Sequence, residues 1–256
     1  MNEANYEKSY VDSEISIVNH TNKSLLAELR GVVHESFPEE PSWYSKLSLD
    51  EYRSIVNSAQ TKLNDKDFSR KIGLDLQEKV IEYIKEEDFL VQSNLYLRAT
   101  RFNVRNDTES INWHRESFYG PNMERSVNIW TPVEGVSSSN TLRYIPKSQK
   151  ILDEEILTEQ IIDPATEKGS TGNIIGFLYA PKNIVAGVNL DKAAPMQVPY
   201  FSSSIFPGNL IHGAATNSSN EIRFSVDFRI LPKSAYDPEK SKKIHVSSGR
   251  AYFEEL

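Results

Sequence analysis

The spacing of apolar residues changes about one third of the way along the chain, from a helical period to the short runs of strands. Three helices are predicted within residues 21–92, and Ser48 with Glu51 forms a capping box at the start of the second. The apolar positions that define these helices are Leu25, Leu26, Leu29, Val32 and Val33, then Leu49, Tyr52, Val56, Ala59 and Leu63, then Leu76, Val80, Ile81 and Ile84.

Beyond Asn94 the chain consists of short runs rich in β-branched and aromatic residues, separated by Gly, Pro, Asn and Ser. The runs are 95–104, 111–116, 126–133, 141–145, 173–179, 183–189, 204–212 and 221–231. Eight short strands favour a jelly roll. We therefore predict a single domain over 1–256, mainly β with flanking helices. Its double-stranded β-helix core (jelly-roll or cupin-like, 93–232) follows supporting helices (21–92), with an N-terminal arm (1–20) and a C-terminal extension (233–256).

Composition narrows the choice of partners. The chain has 256 residues, 38% of them hydrophobic and 25% charged, which is typical of a globular protein. A net charge of -7 argues against nucleic acid or an anionic membrane as the partner. The absence of cysteine excludes disulfides and thiolate chemistry. Because the chain shows neither a signal-peptide pattern nor a long apolar stretch, we expect a cytoplasmic protein.

Candidate chemistry begins with His114 and Glu116, which would lie on the same face of a strand because side chains alternate with a period of two. About 0.7 His-x-acid matches are expected by chance at this composition, so the motif alone is weak. His212, on a later apolar strand, would complete a site of two imidazoles and one carboxylate, the ligand set of many non-haem Fe(II) enzymes. A hydrogen-bonded core histidine is the alternative interpretation of His212.

Arg223 and Ser225 share a face of the next predicted strand. A buried arginine keeps its charge and needs an anion, and a carboxylate suits its two parallel donors. These two residues are therefore candidates for binding a carboxylate. An internal salt bridge to Asp227, which lies on the same face, is the alternative.

Three ordered blocks resemble the phytanoyl-CoA dioxygenase-like family of Fe(II)/2-oxoglutarate oxygenases. They are Trp113–Glu116, then Ile129–Glu134 with Asn140–Lys150, and then Pro207–Gly213 with Asn217–Ser219 and Arg223. The resemblance covers 113–231, and it includes the interval of eleven residues between His212 and Arg223.

The resemblance implies that His114, Glu116 and His212 bind Fe(II) and that Arg223, assisted by Ser225, binds the distal carboxylate of 2-oxoglutarate. Trp130 and Asn128 would line the cosubstrate pocket, although Trp130 is equally compatible with core packing. This chain departs from the family's pattern at Glu116, where Asp is commoner, at Gln149, often His, and at Ala214, often Ser. A carboxylate at 116 disfavours halogenation.

The activity that the resemblance implies is oxidation by O2 with release of succinate and CO2. Hydroxylation is the commonest outcome in the family, and desaturation, ring formation and epimerisation are its other outcomes. Arg98 or Arg101, with Tyr119, are candidates for binding the substrate, for which polar loops favour a small polar metabolite: a sugar derivative, an amino acid or a natural-product intermediate.

Two other functions remain open from the sequence. A cupin-like isomerase or epimerase would use the same three ligands for Zn or Mn without a cosubstrate, and a jelly-roll binding module would have no catalytic role. His20, His34 and His245 are expected to be surface or local residues. The sequence makes no prediction of the oligomeric state.

Overall fold

The computed structural model describes residues 14–102, 112–120, 122–160, 182–241 and 250–256. Helices concentrate in the first third of the chain, as predicted. They are α1 (Lys23–Ser36), α2 (Pro41–Tyr44), α3 (Leu49–Asp65), α4 (Phe68–Asp75), α5 (Gln77–Ile84) and, near the end, α6 (Pro238–Ser241). The predicted capping box is present at α3, where Ser48 and Glu51 bind each other's backbone N–H groups.

The rest of the described chain is mainly strands. They are β1 (Ser16–Asn19), β2 (Phe89–Gln92), β3 (Tyr96–Thr100), β4 (Val127–Glu134), β5 (Leu142–Tyr144), β6 (Leu157–Gln160), β7 (Lys182–Ala186), β8 (Ala194–Pro195), β9 (Ser202–Pro207), β10 (His212–Ala214), β11 (Arg223–Pro232) and β12 (Phe253–Glu255). Short 3-10 helices lie between some of them, including Glu116–Tyr119 and Ser148–Lys150.

A seven-stranded sheet dominates the described structure, in the order β1-β9-β4-β11-β2-β12, with β3 also paired to β11. All of its pairings are antiparallel. A three-stranded sheet, β10-β5-β8, lies against one face of it, and β6 and β7 form a separate pair. This mainly β fold with flanking helices is the predicted jelly roll.

The side chains of the long strand β11 point alternately to the two faces of the main sheet, and the two faces have different surroundings. Phe224, Val226, Phe228 and Ile230 point to one side and join the core formed with α1, α3, α4 and α5. The alternate residues, from Arg223 to Arg229, point to the other side. We call the space between this second face and the three-stranded sheet the interior. Its apolar part includes Trp130, Met196, Phe206 and Leu210.

The two ends of the described chain take part in the main sheet. Residues 16–19 pair with β9, and residues 253–255 pair with β2, so both ends of the described chain extend the main sheet. The Leu256 side chain packs against the helical core. Strands of three or four residues are too short to show a clear alternation of apolar and polar positions, which explains why the pattern did not predict them.

Other predictions differ in detail or fall outside the described residues. His20, expected to be a surface or local residue, is only 3% exposed and contacts Asp75 and Ser203. In the described part of the predicted strand 111–116, His114 forms a single β-bridge, and the predicted strand 204–212 is interrupted by a turn after Pro207. The predicted strand 173–179 and His245 lie outside the described residues. None of the described helices combines the length and apolar character needed to cross a lipid bilayer.

Candidate metal centre

Backbone pairing brings the two predicted fragments together. His114 and His212 exchange backbone hydrogen bonds of 3.0 and 2.9 Å, and the N–H of Glu116 donates to the carbonyl oxygen of Gly208 at 2.8 Å. Glu116 then begins a 3-10 helix. Contrary to the prediction, it therefore does not share a strand with His114. The two side chains nevertheless converge because both are held against the same antiparallel segment, 208–212.

Gly208 is required by the close approach of a neighbouring chain segment at this turn. A Cβ atom placed on it would lie 2.7 Å from the carbonyl oxygen of Ser126 and 3.0 Å from that of Met123. Its own N–H donates to the Ser126 carbonyl at 2.7 Å. Since any side chain would collide with backbone, glycine keeps this turn in place, and the turn fixes both Glu116 and the start of β10.

His114, Glu116 and His212 each direct one ligand atom to a common point. These three atoms lie within 4.8 Å of one another, and all three residues are buried. The two imidazole rings are 4.3 Å apart between centroids. Of the described residues, this is the group of His, Asp and Glu side chains arranged to hold a metal ion.

Hydrogen bonds determine which nitrogen of each ring is available. The Nδ1 atom of His114 lies 2.7 Å from the carbonyl oxygen of Asn112, and that of His212 lies 2.8 Å from the carbonyl oxygen of Leu210. A carbonyl oxygen only accepts, so both Nδ1 atoms carry the proton. Each Nε2 therefore presents a lone pair, as in metal sites whose histidines are oriented through their second nitrogen.

The electrostatics keep both histidines neutral. Burial lowers the pKa of His114 well below 6.5, and proximity to His212 lowers it further. Burial also lowers the pKa of His212. Neutral imidazoles are the form that binds metals.

Glu116 has one occupied and one open oxygen. Arg229 donates to Oε1 at 2.8 Å, whereas Oε2 is buried without a hydrogen-bonding partner among the described residues, as is Nε2 of His114. Burial by itself would raise the pKa of Glu116, but the attraction and hydrogen bond of Arg229 outweigh it and lower the pKa to about 2. An ionised carboxylate and two neutral imidazoles with open donor atoms fit a divalent metal ion.

Arg115, between the two ligands, points away from the metal centre as its position predicts. Its guanidinium donates to the carbonyl oxygens of Ser148 and Ile151 at 2.8 and 2.9 Å, and it pairs with Asp153 at 2.7 Å. The side chain is almost fully buried. It therefore ties the metal-binding fragment to the 3-10 helix Ser148–Lys150.

Arg223 is a buried cation without a carboxylate partner among the described residues. It donates to the carbonyl oxygen of Asn140 at 3.0 Å and to the hydroxyl of Thr100 at 2.7 Å, and both acceptors are neutral. Its Nε has no partner in that set. Burial lowers the pKa of Arg223 to about 10, with a further contribution from Arg98. The alternative salt bridge to Asp227 is absent, because Asp227 pairs with Arg98 and Arg229.

Other predicted cosubstrate residues lie on the same interior face. Ser225 and Asn128 are buried, and Oγ of Ser225 and Nδ2 of Asn128 have no hydrogen-bonding partner among the described residues. On β4, Asn128 lies opposite Arg229, and Trp130 lies opposite Asp227. Trp130 also packs in the apolar part of the interior.

The predicted substrate-binding residues are divided between the two sides of the sheet. Arg98 faces the interior and binds Asp227 through two hydrogen bonds of 2.6 and 3.1 Å. Arg101 faces the helices, where it donates to the carbonyl oxygens of Tyr44 and Leu47, so it lies away from the interior. Tyr119 lies near the metal centre, with its ring 5.5 Å from that of His114. Burial raises the pKa of Tyr119, and the charge of Glu116 raises it further.

Arg229 is the main residue of the site that sequence reasoning missed. The signal was available: the alternation that places Arg223 and Ser225 in the interior continues to Asp227 and Arg229. The alternation did not show that Arg229 would lie within hydrogen-bonding distance of Glu116.

A family model and a curated relative match the sequence of this chain. The family model described as "Phytanoyl-CoA dioxygenase (PhyH)" matches residues 42–225. The Streptomycin biosynthesis protein StrG of Streptomyces griseus is 26% identical over 145 residues, which cover 56% of this chain and 49% of that protein. The chain thus spans about half the length of this curated relative.

Solved structures also resemble the fold. One, the epimerase SnoN in complex with Fe3+, alpha ketoglutarate and nogalamycin RO, has a TM-score of 0.54 at 12% identity and covers 99% of this chain and 95% of that one. Another, EvdO2 from Micromonospora carbonacea var. aurantiaca complexed with 2-oxoglutarate, has a TM-score of 0.46 at 13% identity, with coverages of 93% and 95%. The likeness to SnoN indicates a shared fold.

Proposed function

The chain belongs to the phytanoyl-CoA dioxygenase (PhyH) family, and on this premise we propose that it is an Fe(II)- and 2-oxoglutarate-dependent dioxygenase that hydroxylates a small polar metabolite. One observation carries the proposal. The interior contains an open metal-ligand set and, on the same side of the sheet, a buried arginine whose described partners are all neutral.

The metal-binding roles follow from the open donor atoms. His114 and His212 would bind Fe(II) through Nε2, and Glu116 would bind it through Oε2. When bound, Fe(II) and 2-oxoglutarate supply the oxidising chemistry with O2 and release succinate and CO2. The backbone carbonyls of Asn112 and Leu210 orient the two rings, so neither histidine has to exchange a proton for binding.

Charge balance supports an external anion at Arg223. Among the described interior side chains there are three arginines, at 98, 223 and 229, and two carboxylates, at 116 and 227. Both carboxylates are engaged by Arg98 or Arg229, and Arg223 has no carboxylate partner among the described residues. A buried guanidinium is stabilised by a carboxylate bound through two parallel hydrogen bonds, and the distal carboxylate of 2-oxoglutarate supplies one.

Neighbouring polar groups would complete the cosubstrate pocket. Ser225, two residues from Arg223 on the same face of β11, has an open hydroxyl, and Asn128 on β4 has an open amide. Trp130 would exclude water from one side, since it is buried with Met196 and Phe206. A dry pocket strengthens the pairing between a carboxylate and a guanidinium.

The substrate would bind beside the metal, near Tyr119. Burial raises the pKa of Tyr119, so its phenol stays protonated beside the metal centre. Arg98 already binds Asp227, and we assign it to shaping the pocket rather than to binding an acidic group. The relative from Streptomyces griseus, a protein of streptomycin biosynthesis, is in keeping with a natural-product intermediate as the substrate.

An anaerobic titration of the apo-protein tests the function. Fe(II) is added first and 2-oxoglutarate second, and the visible charge-transfer band of the chelated complex is followed. We expect the band in the wild type and none in His212→Ala. Iron binding without the band would favour a cosubstrate-independent isomerase or epimerase, and failure to bind iron would favour a binding module.

A further inference from the structure

A chain of four charged side chains crosses the interior behind the metal centre. Arg229 donates to Oε1 of Glu116 at 2.8 Å and to Oδ2 of Asp227 at 2.6 Å. Asp227 in turn accepts from Nε and Nη2 of Arg98 at 2.6 and 3.1 Å. Glu116, Arg229 and Asp227 are all less than 10% exposed. Such a row is fixed in place, because each buried charge depends on its neighbour.

The contact with Arg229 distinguishes the two oxygens of Glu116. Oε1 is held by the guanidinium, and Oε2 is left with no partner among the described residues. A glutamate has one more rotatable bond than the aspartate that is commoner at this position, so its carboxylate can take up more orientations. A second contact is therefore needed to present one particular oxygen to a metal.

We infer that Arg229 is a positioning residue that holds Glu116 so that Oε2 alone is presented to the metal, with Asp227 fixing Arg229. This inference rests on the metal-binding part of the proposed function. It does not depend on the cosubstrate or on the substrate. Arg229 acts through Glu116 and does not touch the metal.

A positioning role and a purely electrostatic role of Arg229 predict opposite changes in metal affinity when Arg229 is replaced. Arg229 is a cation close to the position of a dication, so removing its charge should by itself strengthen metal binding. Removing a residue that orients a ligand weakens metal binding, typically by about 10- to 100-fold. The direction of the change in affinity therefore separates the two roles.

The experiment measures Co(II) binding to the apo-protein by calorimetry and visible absorption, without 2-oxoglutarate. We expect Arg229→Met to weaken binding by about 10- to 100-fold and to alter the Co(II) spectrum. Arg229→Lys keeps the charge but cannot bridge two carboxylates in the same planar way. Its Co(II) affinity should therefore lie between those of the wild type and Arg229→Met.

Arg98→Met is the matched control, because it removes a charge from the same row without touching Glu116. Its Co(II) affinity should fall less than that of Arg229→Met, because Arg229 keeps its contacts with Glu116 and Asp227. Tighter binding by Arg229→Met, or an equal loss in Arg98→Met, would overturn the inference.

Three further results are decisive. If Arg229→Met does not fold, weaker binding in Arg229→Lys than in Arg98→Met supports the inference, and the reverse order refutes it. If the wild type binds Co(II) but gives no charge-transfer band with Fe(II) and 2-oxoglutarate, the proposed function fails while the role of Arg229 is still decided. A wild type that binds no metal refutes both.

Discussion

Two buried histidine clusters in this protein have similar parts and different chemistry. One is the metal centre of His114, Glu116 and His212. The other, which we call the His20 cluster, consists of His20, Asp75 and Ser203. In each cluster a carboxylate lies close to an imidazole that is less than 5% exposed.

The clusters differ in how many ring nitrogens are satisfied by the protein. In the His20 cluster, Nδ1 lies 2.7 Å from Asp75 and Nε2 lies 2.7 Å from the Ser203 hydroxyl, so both nitrogens are engaged. In the metal centre Nδ1 of each ring has a hydrogen bond, and Nε2 of His114 has no partner among the described residues. A buried open lone pair costs stability, which a bound ion can recover. The open nitrogen is therefore the feature that marks a binding site.

The His20 cluster also has the carboxylate, imidazole and hydroxyl groups in the order found in serine nucleophile systems. Ser203, however, is fully buried, and its hydroxyl makes a second hydrogen bond to Thr131 at 2.6 Å. A nucleophile needs access to its substrate, and this hydroxyl has none. The cluster instead joins β9 to the N-terminal end of the chain and to α4.

Removing a ligand from the metal centre should give the largest effect. We expect His212→Ala to reduce turnover to below about 1% of wild type, because loss of a ligand should exceed the 10- to 100-fold loss seen for partners of ligands. Succinate formation and metal content measure the effect, and circular dichroism checks the fold.

The comparison with the His20 cluster supplies the control for that experiment. His20→Ala should retain metal binding, since its ring contacts only protein groups. Normal succinate formation by His212→Ala would remove His212 from the metal site.

The comparison between satisfied and open polar groups also applies to Arg223, whose Nε has no hydrogen-bonding partner among the described residues. Replacing it with Met should weaken 2-oxoglutarate binding by roughly thirtyfold or more, the loss expected when one partner of a buried charge pair costs about 2 kcal/mol or more. Iron affinity should change much less, because Arg223 contacts none of the three ligands. Titrations with iron and then with 2-oxoglutarate measure both constants, with Arg223→Lys as the charge-preserving control. A larger loss of iron affinity than of 2-oxoglutarate affinity would assign Arg223 to structure.

Local patterns predicted the parts of the fold that depend on neighbours in sequence. The capping box at Ser48 and the apolar face of α1 each follow from residues three or four apart, and both are present. The two-residue period likewise placed Arg223 and Ser225 on one face. Such features are encoded within a single element, so no knowledge of the rest of the chain was needed.

Features that depend on distant pairing could not be read from the sequence. The alternation along β3 assigned Arg98 and Arg101 to opposite faces but not which face is inside, because the register with β11 decides that. The burial of His20 was not predicted either, since its partners lie 55 and 183 residues away. The role of Arg229 is similarly hidden, as its contact with Glu116 spans 113 residues.

Breaking the His20 cluster should cost stability and leave the chemistry intact. His20→Ala leaves the Ser203 hydroxyl and one oxygen of Asp75 without their partner, and we expect a loss of about 1–3 kcal/mol in the free energy of unfolding. Urea denaturation of the apo-protein measures it. A variant as stable as the wild type would mean that water replaces the imidazole without cost.

The smallest predicted effect is the loss of the stability that His20 provides as the pH falls. Burial lowers the pKa of His20 below 6.5, although Asp75 acts in the opposite direction. The unfolded chain therefore takes up the proton first, and the stability that His20 provides is lost as the pH falls below about 6.5. The change is at most about 1.4 kcal/mol for each pH unit.

His20→Gln keeps hydrogen-bonding capacity without titrating, and it retains His114 and His212, so the difference between wild type and variant isolates His20. Urea denaturation between pH 7.5 and pH 5 should show the advantage of the wild type shrinking on acidification. Asp75 does not disturb this window, because its pKa is lowered from 3.8 by hydrogen bonds that outweigh its burial. An advantage that grows on acidification would mean that His20 is a protonated partner of Asp75. The two clusters would then differ in charge as well as in their open nitrogens.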